Sequence, residues 1–188
     1  MKGFAGKCRS GAIVLSLALA AGPVMASETA AQKPATELKG AVRQSTIEEL
    51  SNLRFNFHRS IDRHDWNGLR ATVTDDFEVY FADNSGKGGT AVRPPIEAKG
   101  ADNFLALVKQ IVGDIPMTHV CTMPQFEYIG KDRARARWLV FGYGAVGPQG
   151  SLGFEEVIDD YVRINGKWLI RRSEARIENS GIFPRQEK

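Results

Sequence analysis

Two hydrophobic periods run through this chain, and their order limits what it can fold into. Ile47, Leu50, Leu53, Phe57 and Ile61 recur at three- and four-residue steps, which is one stripe of an α-helix. From residue 119 onward the helical step gives way to stretches rich in β-branched and aromatic residues, at 119–128, 133–143, 154–164 and 168–177. Asn165-Gly166 between the last two is a two-residue hairpin signal of the I′ type. Helices first and a run of antiparallel strands afterwards predict an α+β fold, not an alternating parallel one.

Ser45…Glu48 and Thr46…Glu49 each fit a capping box, so the first helix is expected to begin near Ser45. Asp65 is a natural N-cap for a short second helix over 66–72. A strand is expected over 77–81, a Gly/Ser/Pro-rich loop over 83–95 that could cover a cavity mouth, and a third helix over 103–112 closed by Gly113. Residues 144–153 read as a longer loop.

The N-terminus carries a different signal. Lys2, Lys7 and Arg9 precede an apolar run at 12–21, Gly22-Pro23 breaks it, and Val24-Met25-Ala26 has the small-residue form of a cleavage site. This predicts a secretory signal peptide over 1–26, a disordered leader over 27–44, a folded domain over 45–180 and a C-terminal tail over 181–188. The expected protein is exported, to the periplasm or the medium, with no membrane segment after cleavage. The signal peptide holds three positive and no negative charges, so the formal net charge of +3 falls to zero once it is gone. A neutral mature chain has no basic footprint for nucleic acid. Only Cys121 then remains of the two cysteines, so no internal disulfide is expected and the core alone must hold the fold.

Chemistry-bearing residues are few. Strand alternation puts Met117, His119, Cys121 and Met123 on one face. A histidine between Met and Cys is partly desolvated, which favours its neutral, basic form. A carboxylate at Nδ1 would fix the tautomer and stabilise the imidazolium once formed. Asp62, at the end of the first helix, is a carboxylate that could serve. The bland alternatives are a core histidine and a surface aspartate at a helix end. His58 reads as an i,i+4 neighbour of Asp62, and His64 as an exposed turn residue. Three histidines without HxxxH or CxxC spacing do not make a zinc site. Cys121 reads as a small core residue rather than a nucleophile. Arg133, Arg135 and Arg137 alternate with Ala134, Ala136 and Trp138, giving a solvated arginine face over a packed one. Trp168, Ile170 and Arg172 share a face by alternation, so Arg172 could point into a pocket and hold a substrate oxygen, the alternative being an arginine paired at the strand end.

Four stretches carry a family resemblance: 57–69 with Thr74-Asp75-Asp76-Phe77, 100–105, 118–124, and 159–170. In these the chain resembles the SnoaL-like family of the NTF2-like superfamily, over roughly 46–177. The resemblance implies a cone: helices on a strongly curved antiparallel sheet that encloses an apolar cavity for a small hydrophobic molecule. Bile acid dehydratase-like proteins, scytalone dehydratase and hexachlorocyclohexane dehydrochlorinase are among the members most alike. Their shared aspartate–histidine dyad falls on Asp62 and His119. The implied activity is a cofactor-independent lyase acting by dehydration or a related elimination on a cyclic, aromatic or steroid-like substrate. A ketosteroid-isomerase-like isomerase or polyketide-cyclase-like enzyme is the next reading, and an exported, non-catalytic ligand-binding protein the third. Phe57, Cys121, Trp138, Tyr161 and Arg172 are the expected substrate-contacting residues. Two departures stand out. Phe57 replaces a tyrosine common five residues before the aspartate, leaving Tyr80, Tyr143 or Tyr161 to substitute. Val120 and Thr122 replace further histidines of the histidine strand. An outer sheet face with Leu139 and Phe141 suggests a homodimer.

Overall fold

A computed structural model describes residues 36–185. The expected signal peptide, half of the expected leader and residues 186–188 lie outside this range. The order of elements is α1 (Gly40–Asp62), α2 (Trp66–Arg70), β1 (Val73–Asp83), β2 (Ile96–Lys99), α3 (Ala101–Val112), β3 (Met117–Cys121), β4 (Gln125–Ile129), β5 (Arg133–Val146), β6 (Gln149–Ile164) and β7 (Lys167–Pro184). The seven strands form one sheet in the order β2-β1-β7-β6-β5-β3, with β4 also on β5. Every pairing is antiparallel except β1 with β7. Among the described residues no helix is long and apolar enough to cross a membrane.

Helix α1 starts five residues before Ser45. The expected capping boxes do not form: the Ser45 and Thr46 hydroxyls both donate back to the Val42 carbonyl inside the helix. Asp65 does cap α2, accepting from the Gly68 N–H at 2.9 Å. Gly113 follows α3 with a positive φ of 51°. Asn165 and Gly166 take φ of 50° and 81°, as a type I′ turn requires.

The stretch 119–128 is not one strand. It breaks at Thr122–Pro124, and β3 and β4 pair with successive halves of β5. Met123 therefore leaves the inward face and stands 89 % exposed. Residues 144–153, expected as a loop, continue the β5–β6 ladder to Val146↔Gln149 and turn at Gly147-Pro148. Two of their glycines, Gly144 and Gly150, sit where space is tight. A Cβ on Gly150 would meet the Phe183 ring at 2.5 Å. Strand β7 also runs through 181–184, part of the expected tail.

Leu50, Leu53, Phe57 and Ile61 of α1 are buried against Phe77, Phe104, Trp138, Val157 and Ile170. With Leu69 of α2, this core joins all three helices to the concave side of the sheet. On the convex side Arg135 pairs with Asp160 and Glu127, and Arg137 with Glu156. Leu139 and Phe154 are exposed there, with Phe154 edge-on to Phe141 at 5.0 Å.

Candidate active site

Beside its apolar stripe, α1 carries Arg54, His58 and Asp62 at four-residue steps, a polar row facing the sheet. The row ends at the helix terminus, where His64 takes a positive φ of 55° and the Asp65 N–H returns to the Ser60 carbonyl at 2.8 Å. That turn buries the Asp62 side chain to 1 % exposure against β3.

Asp62 and His119 meet. His119 Nδ1 lies 2.6 Å from Asp62 Oδ1, and the His119 backbone N–H donates to Asp62 Oδ2 at 3.2 Å. Arg59 Nη1 donates to the same Oδ2 at 3.3 Å. A carboxylate only accepts, so Nδ1 must carry a proton, and in the neutral imidazole Nε2 is then the nitrogen with the lone pair. Burial pushes the Asp62 carboxyl up, but the His119 ring and backbone hydrogen bonds, the His119 charge and Arg59 together bring it below its ordinary value. Asp62 is thus held ionised.

The His119 ring lines a cavity of about 550 Å³. Ile61, Val79, Phe81, Phe104, Val108 and Met117 give it largely apolar walls. Residues of α1, α3, β1, β3, β5, β6 and β7 all border this one space, which requires the sheet to curl around it. The 84–95 loop contributes Arg93 to the lining, 3.9 Å from Asp83 and over the Phe81 ring.

A second polar network lies behind the dyad. Arg54 Nη1 donates to Asp159 Oδ1 at 3.2 Å and to Ser173 Oγ at 3.3 Å, and Nη2 donates to His58 Nε2 at 3.0 Å. A guanidinium has no acceptor, so His58 also carries its proton on Nδ1, which lies 2.8 Å from Cys121 Sγ. The His58 and His119 rings stack at 4.6 Å, tilted by 12°. Burial first, then Arg54 and His119, hold the His58 pKa well below 6.5. The unfolded chain therefore takes up a proton at His58 that the folded chain refuses, and stability falls as pH drops through about 6.5. Unfolding free energies measured by urea at about pH 8 and about pH 5 should show this loss. His58→Gln should remove part of it, and an unchanged slope in that variant would contradict the assignment.

The other expected substrate contacts divide. Phe57 lines the cavity, stacked on Phe104 at 5.8 Å. Cys121, Trp138, Tyr161 and Arg172 do not. Burial raises the Cys121 thiol pKa, so the side chain stays a neutral partner of His58. Trp138 Nε1 donates to the Tyr161 hydroxyl at 3.0 Å, which donates to Asp159 Oδ2 at 2.8 Å. That tyrosine is fully committed in the core, and burial followed by Asp159 keeps its pKa well above 10.0. Tyr143 is the tyrosine that borders the cavity, stacked on Phe183. Tyr80 lies by Arg176, away from it. Arg172 points outward to Glu174 because β7 bulges at Arg171: Ile170 pairs with Tyr161, while Arg172 pairs with Asp160. One extra residue reverses the alternation, so Ser173 takes the inward position. His64 is half-buried by Trp66, not exposed. His58 serves Arg54 and Cys121, not Asp62.

Arg54, Ser173, Asp159 and Glu155 are the polar residues that sequence reasoning missed. A signal existed for two of them. Glu155 and Asp159 fall in the same alternation as Val157 and Tyr161, which puts acids on an inward face. Among the described residues no group of three or more His, Cys, Asp or Glu is placed to hold a metal.

A curled sheet closed by helices, with a buried aspartate–histidine pair opening on an apolar cavity, defines an NTF2-like protein. The SnoaL-like domain family matches residues 43–174, and the chain belongs to that family. Its structure is similar to that of a protein assigned as a scytalone dehydratase from Novosphingobium aromaticivorans (TM-score 0.62, 17 % identity, 77 % of this chain and 91 % of that one). It is similar to a type 2 hexachlorocyclohexane dehydrochlorinase, LinA (0.63, 16 %, 78 % and 95 %). An NTF2-like protein of unknown function from Pseudomonas putida KT2440 is also similar (0.56, 19 %, 71 % and 87 %). At these identities the likeness concerns the fold. No curated protein matches the chain.

Proposed function

We propose that this protein is a cofactor-independent lyase that takes a carbon-bound proton from a small, hydrophobic cyclic substrate. The observation that supports this best is the Asp62 carboxylate 2.6 Å from His119 Nδ1, with the ring on the wall of an apolar cavity, so that the neutral imidazole keeps Nε2 as its basic nitrogen. His119 is the general base. Asp62 orients the ring and balances the charge of the imidazolium. Positioned acid–base groups of this kind contribute about 10²- to 10⁴-fold. A cavity of about 550 Å³ takes one ring system or two fused rings and can hold the reacting C–H beside the imidazole. Elimination is the reaction we favour, since a protein assigned as a scytalone dehydratase and hexachlorocyclohexane dehydrochlorinases share the fold. Double-bond migration starts with the same proton abstraction.

The test is α-proton exchange. Cyclohexanone and a steroid ketone are incubated with the protein in deuterium oxide and followed by NMR. Wild type is expected to exchange ring protons beside the carbonyl, while His119→Ala loses the exchange. Binding of these ketones with no exchange above background, unchanged in His119→Ala, would make the protein a carrier of hydrophobic ligands and sink the lyase reading.

A further inference from the structure

Glu155 is an inward carboxyl that the dyad does not use. It is paired in register with Val140 of β5 and neighbours Gly142 on the inner face of the sheet, diagonal to His119. It borders the cavity and, among the described residues, makes no hydrogen bond or ion pair. Gly142 separates it from the histidine: a Cβ there would stand 3.5 Å from His119 Cδ2, 3.7 Å from Nε2 and 3.7 Å from Glu155 Oε1. The missing side chain leaves a gap whose two sides are an imidazole lone pair and a carboxyl group. The titratable and charged groups that act on Glu155 are His119 of β3, Arg54 of α1 and Asp83 of β1. Burial raises the Glu155 pKa, with Asp83 adding to it and His119 and Arg54 opposing. A carboxyl with these surroundings holds its proton more readily than a surface glutamate.

We propose that Glu155 is the acid of the reaction: it protonates the leaving oxygen of a cyclic substrate whose adjacent carbon loses its proton to His119. This rests on the proposed lyase reading and adds the group that the phenylalanine at position 57 does not supply. The substrate class is a neutral ring alcohol with an activated C–H one carbon away, activation coming from a carbonyl beside it. The C–H electron pair becomes the C=C bond, and the C–O bond breaks with its electrons going to oxygen. That oxygen takes the Glu155 proton and leaves as water. Imidazolium and Glu155 carboxylate remain, and a proton passed from one to the other through water restores both. An acid and a base on opposite sides of one gap perform both transfers without the substrate moving.

The experiment uses two probes that differ only in leaving group. 3-Hydroxycyclohexanone needs a proton on its departing oxygen; 3-(4-nitrophenoxy)cyclohexanone releases a stable phenolate and needs none. Both give cyclohexenone, and both require His119. Glu155→Gln keeps the shape and removes the transferable proton. The ratio of the hydroxy to the aryloxy rate is expected to fall by about 10²-fold or more in this variant, with the melting temperature within a few degrees of wild type. Asp62→Asn should slow both probes and leave the ratio near its wild-type value. A Glu155→Gln ratio within threefold of wild type would overturn the role of Glu155 and leave the dyad reading in place. Rates of wild type equal to those of His119→Ala on both probes would remove the lyase reading itself, and this inference with it. Should Glu155→Gln fold poorly, Gly142→Ala places one methyl between the two groups at ordinary contact distance. It is then expected to slow both probes, and full activity in it would count against a substrate seated in the gap.

Discussion

Asp62→Asn is expected to lower turnover by about 10²- to 10⁴-fold while leaving the fold intact. The reason is local. Asp62 Oδ2 accepts two donors, the His119 backbone N–H and Arg59, whereas Oδ1 faces only the His119 ring. An asparagine has one oxygen, and the two donors hold it at the Oδ2 place. The amide NH₂ then faces Nδ1 and can only donate, so the imidazole must move its proton to Nε2. The lone pair that served the cavity is gone, although no atom has shifted far. Two measurements check this: proton exchange or elimination rates, and the ¹⁵N shifts of the His119 ring, which report the tautomer. Wild-type rates together with an Nδ1–H ring in the variant would discard the dyad mechanism.

Asp159→Ala should be the most destabilising single change, at about 3–5 kcal/mol. Arg54 and Asp159 are 2 % and 0 % exposed and 3.2 Å apart. Truncating the acid leaves a guanidinium buried with no counter-charge, and it frees the Tyr161 hydroxyl as well. The pair itself is not worth that much, because taking two charges from water costs about as much as their attraction returns. Removing both is therefore the discriminating case. Arg54→Met with Asp159→Leu should recover most of the loss, and a double-mutant cycle from urea unfolding measures the coupling. A loss below about 1 kcal/mol for Asp159→Ala would mean that Arg54 reaches water or another acid in solution.

Much of this fold was legible because its signals are short-range. The stripe Leu50, Leu53, Phe57, Ile61 repeats within one helix and is buried as read. Asp65 caps the helix it precedes. Asn165-Gly166 makes its turn because few other pairs accept two positive φ angles. Alternation put Met117, His119 and Cys121 on one side of β3, and all three are partly buried while Thr118 and Val120 are exposed. Where the reading stopped, a neighbour had intervened. Gly144 to Gly153 looked like a loop because glycine is common in loops. There the glycines give room to Phe183 and the cavity, which no local pattern announces. The break at Thr122–Pro124 exists because β5 is long enough to pair with two strands in turn.

The sequence alone determined the three helices, the α+β class and the residue types able to move a proton. Each depends on spacing within a few residues, where the backbone geometry is fixed by the helix or strand itself. The tertiary structure decided which of those residues share a site. The bulge at Arg171 turned Arg172 outward and Ser173 inward, and the core took Trp138 and Tyr161 from the cavity to satisfy Asp159. The sheet also brought Glu155 beside His119, 36 positions earlier in the chain. A bulge shifts every later side chain by one face, and it is set by pairing across strands. Its cause is distant in sequence even when its effect falls on a single residue.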